Sequence, residues 1–353
     1  MKSPKFPANV TWQKISLIVL CTVLALVLTT MVAATAYVNH LLDMITVNGD
    51  YTEPTYPSEP TEGTGVGEND PPYTGTGPTV DPTDITIATK PHDTPVVDMS
   101  DQGIINIMLV GEDRRPGEGR QRSDSMILCC FNLNNNTLTM ISFLRDSYVS
   151  IPGYKPEKMN AAYAHGGFNL LDQTMALNFG VHVNANVGVD FNGFTAIIDM
   201  LGGVDIKLTK AEAKWLNDHY GYSMTEGVNH MNGEVALNYS RIRKLAWEAK
   251  RAERQRNVLT ALINRYKSKS LPEMLSLASQ ILSAGYVRTD MTSKELTNYV
   301  IQLLPLLSKA TINSQQIPAP NTFESMNVGN LGDCKVLDLE INRQILNNIL
   351  HAK

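Results

Sequence analysis

Most of the usual signatures of metal, redox and nucleotide chemistry are missing from this sequence. Its 353 residues hold four cysteines, with no Cys-x-x-Cys pair and no Cys/His spacing suited to zinc. No P-loop and no Gly-x-Ser-x-Gly elbow is present. A zinc cage, a phosphate-cradling glycine loop and a serine nucleophile elbow are therefore excluded as sources of chemistry. The composition, 43% hydrophobic and 18% charged, also excludes collagen-like, disulfide-scaffold and wholly disordered classes.

Other absences are local. Residues 1–14 contain Lys2, Lys5 and Lys14 but no acid, and residues 15–39 contain no charge at all. Residues 43–101 hold twelve Asp/Glu against a single Lys90. The remainder carries a small positive excess, so the formal net charge of -5 belongs to the acidic stretch. The uncharged run ISLIVLCTVLALVLTTMVAATAYVN is long enough to cross a bilayer as a helix. The lysines before it put the N-terminus in the cytoplasm. Ala33-Ala34-Thr35-Ala36 could also be read by a signal peptidase, but the apolar run exceeds the 7–15 residues of a usual signal core. Either way residues 44–353 are expected outside the cell. The expected organisation is a cytoplasmic tail (1–14), a transmembrane helix (15–39), a disordered linker rich in Pro, Thr, Gly and acids (40–100), and an extracellular catalytic domain (101–353). The linker has too little apolar surface to offset its chain entropy and is read as a tether. The placement is that of a single-pass type II protein of the cell membrane.

From Gly103 onward short apolar runs alternate with helical patterns. Strands are expected at 104–110, 126–131, 138–143, 185–190, 204–208 and near 311–317. Helices are expected at 169–179, 191–201, 232–241 and 249–267, and near 274–284, 293–307 and 340–350. This alternation predicts a three-layer α/β/α domain around a central mixed sheet. Cys129 and Cys130 are adjacent in a strand and point to opposite faces. One of them could pair with Cys334, or all three could be buried thiols. His165, His182, His219 and His230 have no evident partner and are read as structural.

Polar chemistry concentrates in three places. The loop from Gly111 to Asp124 holds Asp113 and Asp124 with four arginines, among them Arg115 and Arg122. It is either a solvated loop or a site where carboxylates hold a hard cation and arginine forks hold phosphate. Arg145-Asp146 follows the third strand and could be an ion pair or part of that site. Residues 241–256 contain Arg241, Arg243, Glu248, Arg251 and Gln255, with seven Lys/Arg in all. Arg251 and Gln255 are spaced i,i+4 on one helix face. An extracellular location argues against nucleic acid as the partner of this basic run. Carboxylates with several arginines suit phosphoryl transfer, in which arginine steadies developing charge.

The strings INIMLVGEDRR, RSDSMILCCFN, MISFLRDSYVSIPGY, KMNAAYAHGG, VGVDFNGFTAIIDMLGGVDI, GVNHMNGEVALNYSRIR and RAERQRNVL occur in this order. Together they make the chain resemble the LytR–CpsA–Psr family of cell-wall glycopolymer ligases. The resemblance implies transfer of a glycopolymer, such as teichoic acid or capsular polysaccharide, from a polyprenyl pyrophosphate to peptidoglycan. It implies Mg²⁺ (or Mn²⁺) at Asp113 and Asp124, and pyrophosphate contacts from Arg115, Arg122, Arg145, Arg241, Arg243, Arg251 and Gln255. Glu248 stands where the family commonly has Asp, and Leu144 where it commonly has Pro. Asp113 or Asp146 would be the base. The family groove for lipid could be lined by Phe194, Ile197, Ile198 and Leu201, or by Val258, Leu259 and Leu262, although core packing is the ordinary reading of such stripes. The rival functions are a lipid-binding or regulatory protein without turnover, and a lipid pyrophosphatase that uses water as acceptor.

Overall fold

The computed structural model describes residues 79–85, 96–112, 120–243 and 248–351. The expected tail, the transmembrane helix 15–39, most of the linker, Asp113 and Arg115 lie outside these residues. Among the described residues no helix is long and apolar enough to cross a membrane.

The strands are β1 (Thr79–Val80), β2 (Ile104–Glu112), β3 (Ser123–Asn132), β4 (Thr137–Phe143), β5 (Ser147–Val149), β6 (Glu157–Lys158), β7 (Ala185–Asp190), β8 (Val204–Leu208), β9 (Gly227–Met231), β10 (Arg288–Thr289), β11 (Thr311–Ile317), β12 (Phe323–Val328) and β13 (Asp333–Leu337). The helices are α1 (Met159–Phe179), α2 (Phe191–Met200), α3 (Lys210–Tyr220), α4 (Gly233–Ser240), α5 (Glu248–Lys267), α6 (Leu271–Ser283), α7 (Ser293–Lys309) and α8 (Leu339–Leu350).

The main sheet has the order β10-β7-β2-β3-β4-β11. Strands β2, β3 and β4 form an antiparallel meander, while β7 joins β2 and β11 joins β4 in parallel. Both faces are covered, which is why these strands read as nearly continuous apolar runs. Met108, Met126, Leu128, Cys130 and Ile141 pack on one side with α1 and α8. Ile105, Ile107, Ile127, Cys129 and Met140 pack on the other with α7 and part of α5. The expected three layers around a mixed sheet are present. Cys129 and Cys130 do point to opposite faces, and they and Cys334 are buried free thiols, so the Cys334 pairing does not form. Burial pushes the first two up to about 12 and Cys334 up to about 11, so all three stay protonated near neutral pH.

A second sheet, β1-β12-β13-β5-β6, and the hairpin β8-β9 were not expected as such. Strand β1 lies inside the stretch read as linker, which corrects that reading for residues 79–85. Its two residues gain order by pairing in parallel with Asn327 and Val328, and Val80 and Ile85 pack on the small core of Tyr148, Val328 and Cys334. Helix α1 begins ten residues earlier than expected. Gly166 and Gly167 form a kink within it, with Gly167 at φ 62°.

Candidate active site

The registers Glu112↔Ser123 and Glu112↔Asp190 bring the ends of β2 and β7 and the start of β3 to one edge of the main sheet. At that edge a cavity of about 220 Å³ opens between the sheet and helices α2, α4 and α5. Its walls are mainly apolar, from Leu109, Ile127 and Val187 on the sheet and Phe194, Val258 and Leu262 on the helices. Polarity is segregated along it. On α5 the lining residues run from Arg251 and Gln255 to Val258, Leu259 and Leu262, a rise of eleven residues that covers roughly 16 Å. On β3 the lining passes from Asp124 and Ser125 to Ile127. One end is therefore charged and the other greasy. Of the seven side chains considered for a groove, Phe194, Ile197, Val258, Leu259 and Leu262 line the cavity, while Ile198 and Leu201 are fully packed away. Most of that stripe also packs into the core, Val258 and Ile198 as buried members and Phe194, Leu259 and Leu262 against them, so the cavity runs along the edge of the core.

The charged mouth unites side chains that are far apart in sequence. Arg145 donates through Nη1 to Oδ1 of Asp124 at 2.6 Å. Arg251 donates through Nη2 to the main-chain oxygen of Asp124 at 3.1 Å, and its Nη1 lies 3.8 Å from the same carboxylate. Arg241, Arg243 and Gln255 line the same end, Arg241 with its guanidinium 4.8 Å from the centre of the Phe191 ring. Burial alone would raise the Asp124 carboxyl, but Arg251, Arg145 and Arg243 outweigh it and hold it below the ordinary carboxylate range. Asp124 is thus an anion gripped by arginines.

Asp146 sits behind Arg145. Its Oδ2 is 3.6 Å from Arg145 Nε, and its Oδ1 is 3.1 Å from Lys158 Nζ. Burial works to raise it, while Arg145 and Lys158 bring it below its ordinary value. It is not among the cavity-lining residues. Such a carboxylate steadies Arg145 better than it accepts a proton. Arg122 points away from the cavity, donating to Oε1 of Glu157 at 2.5 Å. Helix α5 starts at Glu248, whose side chain lies outside the described residues, as do Asp113 and Arg115.

Several polar groups here carried no readable signal in the sequence. Glu112, only 1% exposed, pairs with Arg288 at 2.5 Å and accepts a hydrogen bond from the Tyr163 hydroxyl. Arg288 also approaches Asp190, 3.9 Å away, which caps α2 by accepting from the Gly193 N–H. Arg288 lies so far along the chain from its partners that only the fold unites them. Asp190 could have been found as the polar residue just before an apolar helix. His165, read as structural, has a partner: its Nε2 is 3.0 Å from Glu157 Oε2.

For a divalent cation, the described residues contain no cluster of three or more Asp, Glu, His or Cys side chains placed to hold one. The donor chemistry nevertheless suits Mg²⁺, which keeps several waters and takes one or two carboxylates plus substrate phosphates. Asp124, an ionised carboxylate in a cationic mouth, has the chemistry of such a ligand.

The chain is similar to the regulatory protein MsrR of Staphylococcus aureus, 29% identical over 255 residues that cover 71% of this chain and 76% of MsrR. It is 34% identical over 197 residues to the polyisoprenyl-teichoic acid–peptidoglycan teichoic acid transferase TagU of Bacillus anthracis, covering 54% of this chain and 62% of TagU. Its fold matches a structure of TagT bound to LI-WTA, with a TM-score of 0.60, 24% identity and coverage of 75% of this chain and 99% of that one. A structure of YwtF (TagT) with bound octaprenyl pyrophosphate lipid matches with a TM-score of 0.56, at the same identity and coverage. The LytR_cpsA_psr family model matches residues 77–339. With the order of its strings, its three-layer fold and a match over three quarters of its length, the chain belongs to the LytR–CpsA–Psr family.

Proposed function

We propose that the protein transfers a glycopolymer from a polyprenyl-pyrophosphate carrier to peptidoglycan. One observation carries this reading: an apolar cavity of about 220 Å³ with its arginines gathered at one end. A long apolar chain with an anionic head matches that division, and burying each methylene of such a chain is worth about 0.8 kcal/mol. TagU's name and the octaprenyl pyrophosphate held by YwtF support the same substrate class.

In this reading the lipid lies along Val187, Phe194, Val258 and Leu262, and its pyrophosphate meets Arg145, Arg241, Arg243, Arg251 and Gln255. The acceptor hydroxyl oxygen attacks the phosphorus next to the sugar. The bond from that phosphorus to the bridging oxygen breaks, polyprenyl phosphate leaves, and the hydroxyl proton passes to a base. Arg145 is fixed from behind by Asp146, so its Nη1 already faces the place where charge develops. Asp146 is a positioning residue, and Asp113 is the better candidate base. Asp124, with Asp113, would hold Mg²⁺, which supplies neutralisation of phosphate oxygens. The protein is anchored by residues 15–39, with this domain outside the cell on its acidic tether. Teichoic acid or a capsular polysaccharide is the expected cargo.

The test uses the full-length chain in detergent with Mg²⁺, a synthetic polyprenyl-pyrophosphate glycan and uncrosslinked peptidoglycan chains. Mass spectrometry should find a glycan–phosphate–peptidoglycan adduct that Asp124→Ala abolishes. Sugar phosphate without adduct would identify a lipid pyrophosphatase. MsrR's designation as regulatory favours a second reading, binding without turnover. Tight lipid binding with no product from several cargoes would establish that one.

A further inference from the structure

The acceptor must reach the phosphorus from somewhere other than the lipid cavity. Linked to the charged mouth, the fold presents a small group of side chains that the lipid site does not use. Tyr154 stands at a turn closed by its N–H donating to the Ile151 carbonyl, and it is 49% exposed. One face of its ring stacks on His165, with centroids 4.3 Å apart and planes 10° from parallel. His165 Nε2 lies 3.0 Å from Glu157 Oε2, and Arg122, 48% exposed, donates to the other Glu157 oxygen at 2.5 Å. The result is a half-exposed aromatic ring bordered by an imidazole, a carboxylate and a guanidinium.

This group is wired to the reaction end. Arg122 precedes Asp124 by two residues on the approach to β3, which places the two roughly 7 Å apart along the chain. Lys158, next to Glu157 on β6, reaches Asp146, and Asp146 faces Arg145. His165 immediately precedes the glycine kink in α1. A Cβ on Gly166 would come within 2.4 Å of the Leu170 side chain, and Gly167 has a left-handed φ.

The chemistry matches a sugar. An aromatic ring offers a flat apolar face of the kind that covers the C–H face of a pyranose. A carboxylate and a guanidinium at its edge offer the paired acceptors and donors that adjacent hydroxyls need. A lipid tail would make no use of those charged groups and would strip water from them. An anionic head would be repelled by Glu157 and has the stronger arginine cluster nearby.

We propose that Tyr154, His165, Glu157 and Arg122 form a binding shelf for a sugar ring of the acceptor glycan, adjoining the Arg145–Asp124 mouth. This rests on the transfer reading above. The shelf holds a pyranose against Tyr154 and directs a hydroxyl of the glycan toward the phosphorus. Its role is positioning, not proton transfer.

The test uses full-length protein in detergent and two probes, a peptide-free peptidoglycan tetrasaccharide and octaprenyl pyrophosphate. By calorimetry or ligand-observed NMR, Tyr154→Ala should weaken tetrasaccharide binding at least tenfold, and Tyr154→Phe should restore it. Octaprenyl pyrophosphate binding should be the same in all three. In the transfer assay, Tyr154→Ala should raise KM for the acceptor far more than it lowers kcat. Equal tetrasaccharide binding by wild type and Tyr154→Ala would overturn the shelf. So would wild-type protein that binds octaprenyl pyrophosphate but no tetrasaccharide, a result that leaves the transfer reading intact. Protein that binds the sugar through Tyr154 but no polyprenyl pyrophosphate would overturn the transfer reading and keep the shelf.

Discussion

Replacing Arg145 by alanine separates catalytic from structural roles better than any other change in the site. Arg145 touches two carboxylates, Asp124 at 2.6 Å and Asp146 at 3.6 Å. Each has a second cation, Arg251 for Asp124 and Lys158 for Asp146. Removing Arg145 therefore strands neither. One charge-assisted hydrogen bond is lost, and the expected cost to stability is about 1–2 kcal/mol. For a domain of this size that is a fall in Tm of roughly 2–8 °C.

The contrast is Arg254→Met. Arg254 Nε donates to Glu212 at 2.7 Å and its Nη1 donates to the Ile242 carbonyl at 2.9 Å, both within the protein. Glu212 would keep only its contacts to Thr209, and breaking such a buried pair costs about 3–5 kcal/mol. The two variants should therefore rank oppositely. Arg254→Met should melt lower than Arg145→Ala. Arg145→Ala should lose about 10²–10³ in kcat, the usual cost of removing one preorganised donor. Melting by circular dichroism and single-turnover transfer on the same preparations would check both. Turnover within fivefold of wild type in a folded Arg145→Ala, or a melting loss as large as that of Arg254→Met, would refute the reasoning.

Asp172 provides a pH test. Burial, with a smaller push from Asp290, raises its carboxyl to about 7 against the opposing hydrogen bond from Asn186. The folded state holds that proton more tightly than the unfolded state, so its stabilising effect is complete below about 3.8 and is lost as pH rises toward 7. Between those values wild type should lose up to roughly 4 kcal/mol relative to Asp172→Asn, read as converging and then crossing melting curves; parallel curves would contradict it. Gly233→Ala should destabilise by about 1–3 kcal/mol, since its Cβ would lie 2.2 Å from the Thr195 carbonyl where α4 crosses α2; an unchanged Tm in urea or heat would refute the close approach. Val187→Phe, which fills part of the cavity, should weaken octaprenyl pyrophosphate binding at least tenfold without a comparable loss of stability, as measured by fluorescence titration. Asp124→Asn should tighten that lipid in EDTA, because the arginines lose their resident anion, and yet abolish transfer; weaker binding in EDTA would count against the exchange.

Much of the fold could be read because the main sheet writes itself plainly. Strands β2, β3 and β4 are buried on both faces and appear as unbroken apolar runs ended by Gly111, Asn134–Asn136 and Arg145. The small sheet was hidden for the opposite reason. Strands β12 and β13 carry Glu324, Asn327, Asp333 and Lys335 and are only partly buried, so neither period two nor a continuous run stands out. Helix α3 has low mean apolarity and is fixed by the Thr209–Glu212 capping box, a local signal that went unused. At the site, Asp124, Arg145, Arg241, Arg243, Arg251 and Gln255 were legible from the resemblance and do gather at one mouth. The resemblance also places Arg122 with them, but its side chain turns to Glu157. The pairings of Glu112 with Arg288 and of His165 with Glu157 depend on how distant segments meet, and no spacing encodes that.

The order of charges across the mouth explains how so many arginines can share one place. Lys158, Asp146, Arg145, Asp124 and Arg251 follow one another in alternating sign. An uncompensated cluster of guanidinium groups would repel itself at low dielectric by several kcal/mol. Asp124 relieves that repulsion in the resting protein. Its depressed carboxyl keeps this contribution at any pH above the ordinary value of 3.8, and the contribution is lost as pH falls further. Among the charged residues that line the cavity, Asp124 and Asp190 do not neutralise Arg241, Arg243 and Arg251. The surplus is positive and faces the cavity. In the proposed reaction an arriving pyrophosphate would meet arginines already aimed by Asp124 and Asp146, and it would take the place of the Asp124 carboxylate on Arg145 and Arg251.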